Sequence, residues 1–459
     1  MNVIGRATEL AALGSAWARA GDGDPQLVVV WGRRRVGKTY LLTHFAQDKR
    51  AVYFTATRQD SEQRQLRRLA DRLREQLGDE VRDLIPETFA GWEAALRLLI
   101  RLADRDPLLV VLDEAPRLVV GRSDFADLVS AIWENDVRDQ RLMLVLTGSA
   151  VAVMEEMLGP HGGLHRRASV EQRMDPFQLV DARQFLPGLS PEAAIEAYAA
   201  CGGYPLHLRR WRADQSTHDN LRELAFTPGG ILVRDAPDIL SEDLDWRGGY
   251  ERVMVAMAGG ARRRSRIAGR AQQRIDYTLD RLRRAGYVRV VRSIGAGGSP
   301  DPLYEIADTY LAYWFAVLRD DADLIEGGQG GAVQQRTDGR WQRHLAWVFE
   351  AEARAHAQRM VSGGALPPDA IVGRWWQDET AEIDVLALSG EQPVLVGECR
   401  WQAREVTERD LVELRRRAGH LPEPPGAQAT YAFWSQGGPT ESLARHPDVR
   451  TFTPSDLLV

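Results

Sequence analysis

The chain has 459 residues, 44% of them hydrophobic, and a formal net charge of −6. Its length allows two to four domains that each bury a core, and its apolar share excludes wholesale disorder. The negative balance excludes an overall basic protein, so any nucleic-acid surface must be local. Two cysteines, Cys201 and Cys399, exclude a disulfide scaffold and an all-cysteine zinc site. Residues 1–6 lack the pattern of a signal peptide, and no apolar run reaches the roughly 20 residues of a membrane span. A reducing, cytoplasmic setting with no membrane partner is therefore expected.

Leu27–Trp31 reads as a buried strand, and Tyr40–Ala46 as the first turns of an amphipathic helix. Between them lies Gly32, Arg33, Arg34, Arg35, Val36, Gly37, Lys38, Thr39, the G-x-x-x-x-G-K-[ST] phosphate loop in its required setting. Its backbone N–H groups should converge with the helix N-terminus, up to Tyr40, on the phosphates of ATP. Lys38 should reach the β- and γ-phosphates and the Thr39 hydroxyl should ligate Mg²⁺. Among 59 Lys plus Arg, lysine occurs only at Lys38 and Lys49. Lys38 has escaped a chain-wide drift to arginine at a place where a planar guanidinium cannot replace a compact ammonium.

Further strands are expected at Ala51–Thr55, Leu108–Leu112, Leu142–Thr147 and Ala168–Met174, with helices near Arg64–Leu77, Trp92–Ala103 and Phe125–Val137. This βαβ alternation implies a parallel sheet covered by helices. Asp113-Glu114 ends its strand in an acidic pair: Asp113 should hold Mg²⁺ through water, and Glu114 should polarise the water that attacks the γ-phosphate. Thr147 or Ser149 could sense the γ-phosphate, the alternative being a plain turn with Ser149 as helix cap.

Asp181–Leu240 reads as helical, followed by short helices at Tyr250–Gly260, Ile267–Arg270 and Arg274–Ala285 and a hairpin whose tip is residues 295–300, the outline of a winged helix-turn-helix. Gly327–Gly331 reads as a linker, followed by a helix at Trp341–Arg359. Strands Ile383–Leu388 and Val394–Glu398, a helix at Glu408–Ala418 and a strand at Ala429–Trp434 complete a small α/β unit. The expected domains are 1–180 (ATPase core), 181–245 (helical lid), 246–325 (winged helix) and 333–459. His161 and His165 have no third ligand nearby. His207 is expected to pack or to read the nucleotide, and Cys399 to be a buried thiol.

Arg262, Arg263, Arg264, Arg266, Arg270 and Arg274 could neutralise DNA phosphates, with Gln272 and Gln273 at base edges; the competing reading is a solvated face. In the C-terminal part, Asp384 and Glu398 stand near one end of adjacent strands and Glu350 on a helix, a carboxylate set that could hold Mg²⁺.

In order along the chain, Gly5-Arg6, Glu9-Leu10, the phosphate loop, Asp113-Glu114, Thr147-Gly148-Ser149, Arg167, Pro176-Phe177, Gly202–Pro205, Ile267–Arg270, Tyr277–Leu282, Ala285–Val288, Tyr304–Asp308 and Tyr313–Phe315 resemble the archaeal-type AAA+/STAND ATPase family. The resemblance implies a five-stranded P-loop core, a helical lid, a winged helix and a C-terminal domain similar to PD-(D/E)xK nucleases. It implies that Arg6 lies near the base and that an arginine at Arg166 or Arg167 acts as a sensor. Glu350, Asp384, Glu398 and Arg400 follow the nuclease order except that Arg400 replaces lysine. Either the position tolerates arginine in an active nuclease or the domain has lost cleavage and only binds. The expected function is a Mg²⁺-dependent ATPase that repositions its C-terminal modules on DNA. The alternatives are an ATP-controlled signalling or homo-oligomerisation switch, and nucleotide binding without useful turnover.

Overall fold

A computed structural model describes residues 3–118, 124–243, 248–295, 301–377 and 381–459. The chain forms two compact units, one from residues 1–176 and 239–245, the other from 177–238 and 246–459.

The first unit opens with helix α1 (Ala7–Gly21), which sequence periodicity did not single out, followed by β1 (Gln26–Trp31), α2 (Lys38–Ala46), β2 (Ala51–Thr55), α3 (Glu62–Leu77), α4 (Trp92–Leu102), β3 (Leu108–Asp113), α5 (Asp124–Asn135), β4 (Leu142–Gly148), α6 (Val151–Leu158) and β5 (Val170–Arg173). The five strands form one sheet in the order β2-β3-β4-β1-β5, and every pairing is parallel. Leu27–Val30, Leu108–Leu112 and Leu142–Leu146 are buried along their whole length. A sheet covered on both faces requires such unbroken apolar runs rather than alternation. On α3, Leu66, Leu69, Ala70 and Leu73 recur at helical spacing and turn one stripe inward. Trp92 of α4 packs edge-on against Phe125 at 5.6 Å and near Phe54 at 6.2 Å, tying both helices to β2.

The second unit continues with α7 (Pro191–Cys201), α8 (Thr217–Ala225), α9 (Ile231–Asp243), α10 (Gly248–Ala258), α11 (Arg264–Ala271) and α12 (Asp276–Arg284), then a hairpin of β6 (Val288–Val291) and β7 (Leu303–Ile306). Residues 296–300 of the expected hairpin tip lie outside the described residues, as does the expected domain boundary at 245/246.

The expected linker is a correction. Residues 325–329 are helical with a kink at Gly328 (φ +86°), and a 33-residue helix, α13 (Gly330–Ser362), starts at once. A Cβ on Gly330 would lie 1.7 Å from the Phe226 carbonyl oxygen. The glycine there permits close backbone packing rather than flexibility.

The last part is a mixed sheet, β8 (Ile371–Trp376), β9 (Glu382–Ser389), β10 (Gln392–Arg400), β11 (Thr430–Ser435) and β12 (Val449–Phe452), in the order β12-β11-β10-β9-β8, with α14 (Glu408–Ala418) packed against β9 and β10. β8 and β9 pair antiparallel, β10 and β11 parallel. The hairpin does not leave the edge of β8 bare. The Ile294 N–H donates to the Arg374 carbonyl at 3.0 Å, and Ser293 Oγ accepts from the Trp376 N–H at 3.1 Å. Ile294 also packs on the apolar core of this sheet. The segment just after β6 therefore covers part of the β8 edge through one isolated bridge, which reduces a free pairing surface. Among the described residues no helix is long and apolar enough to cross a membrane.

Candidate nucleotide site and a clamped carboxylate cluster

Parallel strands place their C-terminal ends along one edge of the first sheet, where such folds bind ligands. The order β3-β4-β1 brings three predicted segments to that edge on neighbouring strands: the acidic pair after β3, Thr147-Gly148-Ser149 after β4, and the phosphate loop after β1. A Cβ on Gly32 (φ +153°) would lie 2.0 Å from the Met174 carbonyl oxygen, so only glycine fits where the loop leaves β1. Gly37 (φ +99°) and Arg35 (φ +74°) continue the left-handed turning, and Lys38 begins α2. Arg33, Val36 and Lys38 are buried. Lys38 Nζ donates to the Gly32 and Arg33 carbonyls at 2.6 and 3.0 Å, so the ammonium folds across its own loop. Tyr40 is exposed, one turn into the helix. Arg6 donates to the carbonyls of Val36 and Asp175 and pairs with Glu9, fastening the loop to α1.

Asp113 is buried, and its Oδ2 accepts from the Tyr53 hydroxyl at 3.1 Å. The phenol thus rests on the carboxylate predicted to serve Mg²⁺. Burial and the neighbouring Glu114 push the Asp113 carboxyl up, while Lys38 opposes them. Sequence reading missed Tyr53. The available signal was two hydroxyl residues, Tyr53 and Thr55, alternating on the strand beside β3, with Thr55 in register with Asp113.

Glu114 sits in a left-handed conformation (φ +57°), and Ser149 Oγ and N–H donate to its two carboxylate oxygens at 2.5 and 3.2 Å. The cap alternative for Ser149 does not hold: Ala150 occupies the N-cap of α6, and the serine side chain is spent on Glu114. The Thr147 hydroxyl is fully buried, with no hydrogen-bond partner among the described residues. Arg167 pairs with Glu134 and donates to Ser130, both on α5, and Arg166 adopts φ +57°. His207 is buried in the second unit, bonded to Asp235 at 2.9 Å.

The C-terminal carboxylates do lie together, but arginines surround them and hold Glu398 directly. Glu398 accepts from Arg400 Nε at 3.1 Å through one oxygen and from Arg417 through the other. Asp384 accepts from the Cys399 N–H at 3.0 Å, and Arg354 donates to the Asp384 carbonyl. Arg374, 3% exposed, donates to Glu305 at 2.9 Å, pairs with Glu382 and lies 4.0 Å from Glu350. Among the described residues no group of three or more His, Cys, Asp or Glu side chains is placed to hold a metal ion. The clamping arginines 354, 374 and 417 were not legible in sequence, since nothing marks them among so many others.

Burial first, and the adjacent Glu350 next, push the Asp384 carboxyl up to about 7. An unfolded Asp titrates near 3.9, so between these values the folded chain holds the extra proton. This contribution to stability is fully present below about pH 4 and is lost as pH rises towards 7. Asp384→Asn should therefore gain Tm relative to wild type between pH 5 and pH 8, by a few degrees in a thermal scan. Parallel Tm curves would remove the assignment.

Loop, acidic pair and sheet order define a P-loop nucleoside-triphosphatase core with one strand inserted between its two chemical segments. Residues 4–210 match the family described as an ATPase domain predominantly from Archaea, and residues 314–412 a family of archaeal and bacterial proteins of unknown function. An uncharacterized protein of Methanocaldococcus jannaschii is 22% identical over 420 residues, 90% of each chain. A Walker-type ATPase of Pyrococcus abyssi shares the fold, with 17% identity, a TM-score of 0.50, and coverage of 68% of this chain and 96% of that one. The ORC2 protein of Aeropyrum pernix aligns at 14% identity and a TM-score of 0.44, over 74% of this chain and 96% of that one.

Proposed function

We propose that the first unit binds and hydrolyses ATP and that the cycle controls how the second unit engages DNA. The observation that carries the ATPase reading is the convergence of Lys38, Thr39, Asp113, Glu114 and Ser149 at the ends of three adjacent strands. Residues 32–40 would hold the nucleotide, the loop N–H groups and Lys38 taking the phosphates. The hydroxyl and carboxylate oxygens of Thr39 and Asp113, the latter held by Tyr53, suit Mg²⁺. Mg²⁺ when bound neutralises charge on the phosphate oxygens. Glu114 takes a proton from the attacking water, and in the resting arrangement Ser149 keeps that carboxylate occupied. Release of Glu114 from Ser149 is thus the step that readies the site. Thr147, buried with an unspent hydroxyl, senses the γ-phosphate side.

For DNA, helices α10 to α12 with the following hairpin have the element order of a winged helix. The exposed arginines Arg264, Arg266, Arg270 and Arg274 continue into Arg281 and Arg284 of α12. Part of that charge is spent internally, since Arg264 pairs with Asp276, and Arg283 and Arg284 with Asp280. Gln273 bonds Gly249 and Arg252 instead of standing free for a base edge. With the end of the first hairpin strand bridged to β8, contact falls to the helices and reads phosphates rather than sequence. The guanidiniums of Arg400 and Arg417 on Glu398, with Arg374 beside Glu350, favour a nuclease-like C-terminal module that binds without cutting over an active Mg²⁺ nuclease.

The test combines phosphate release and DNA integrity in one assay of purified full chain with ATP and duplex DNA. The expected result is ATP turnover, DNA binding that weakens steeply with salt, and intact DNA in Mg²⁺. Nicking abolished by Asp384→Ala would restore the nuclease reading, and salt-independent binding unchanged by Arg266→Ala with Arg274→Ala would remove the helical face.

A further inference from the structure

The second unit contains a cavity of about 460 Å³ walled by the base of the hairpin, the end of α10 and α13, a size that suits a small organic ligand. Its lining combines Arg262, Arg340 and Arg343 with the rings of Phe315 and Trp347. The lining acids have partners elsewhere. Glu305 accepts from Arg289 and Arg374, and Asp320 from Arg319, none of which lines the cavity, so Glu305 leaves Arg262 only a third share of its charge. Among the described residues Arg340 has only a share of Asp321, at 3.5 Å, because Arg336 also pairs with that carboxylate. Arg343 is exposed and has no ion pair among the described residues. The cavity therefore carries excess guanidinium beside aromatic surface. Trp347 is half-buried, with the Arg289 guanidinium 5.6 Å from its ring and the His344 ring 5.8 Å away, contacts that fix the indole in place.

Guanidinium forks match phosphate oxygens, and a fixed indole matches the face of a base. A purely apolar ligand would leave the arginines without counter-charge, and inorganic phosphate would leave the aromatic wall unused. We propose that this cavity is a second nucleotide site, independent of the phosphate loop. It holds a nucleoside phosphate with its phosphate at Arg262, Arg340 and Arg343 and its base against Trp347 and Phe315.

Calorimetry on the full chain carrying Lys38→Ala, which cripples the loop, tests this with ADP, inorganic phosphate, adenosine and a short single-stranded deoxyoligonucleotide. ADP should still bind, more tightly than phosphate or adenosine alone, and adding Arg343→Ala or Trp347→Ala should weaken it at least tenfold. With Lys38 intact, neither change should alter ATP turnover, so failure here is distinguishable from failure of the ATPase reading. Competition between oligonucleotide and ADP would identify the ligand as a nucleotide within a strand, and lack of competition a free nucleotide; both keep the site. No ADP uptake by Lys38→Ala at millimolar concentration overturns it, as does uptake indifferent to Arg343→Ala. Arg343 is exposed, so its variant decides even if Trp347→Ala fails to fold.

Discussion

Lys38→Ala should weaken ATP binding by about 10- to 100-fold, the loss expected when charge-assisted hydrogen bonds of about 1.5–3 kcal/mol are removed. Lys38→Arg should be nearly as defective, although the chain uses arginine at almost every other cationic position. The ammonium reaches two loop carbonyls from within the turn, at 2.6 and 3.0 Å, in a buried place where a planar fork has no room to do the same. Titration calorimetry with ATP and Mg²⁺ measures both variants against wild type. Wild-type affinity in Lys38→Arg would show that the chemistry of the turn lies in its backbone and a positive charge of any shape.

Arg374→Met should destabilise the second unit by about 3 kcal/mol, at the low end of the range for breaking a buried pair. The cost arises because Glu305, 4% exposed, would lose one of its two guanidinium partners while staying out of water. Arg289 remains on the other carboxylate oxygen, which keeps the loss from being larger. Burial works against ionisation of Glu305, and Arg289 and Arg374 outweigh it, holding the carboxyl below its usual range. Chemical denaturation reads the effect, and adding Glu305→Gln to Arg374→Met should recover part of it. A neutral Arg374→Met would mean that the three-carboxylate hub contributes nothing net.

Much of the first unit was legible in the sequence because its signals are local. Buried parallel strands write themselves as apolar runs such as Leu27–Trp31, and a phosphate loop needs glycines and a lysine at fixed spacing. What was not legible depends on neighbours distant in sequence. Tyr53 reads as an ordinary strand residue until β2 pairs with β3 and sets its phenol beside Asp113. The glycines at 327–331 carry the composition of a linker, yet Gly330 is there because the Phe226 backbone passes too close for any Cβ. The same holds at the C-terminal carboxylates. Their order along the chain was readable, but the arginines that surround them come from α13, β8 and α14, and no spacing rule links those positions.

Single-turnover phosphate release by Glu114→Gln, paired with ATP calorimetry on the same protein, tests the central claim most directly. ATP affinity should stay within about threefold of wild type while phosphate release falls by at least about a hundredfold, the usual contribution of a positioned general base. Undiminished release from a variant that still binds ATP would contradict the account.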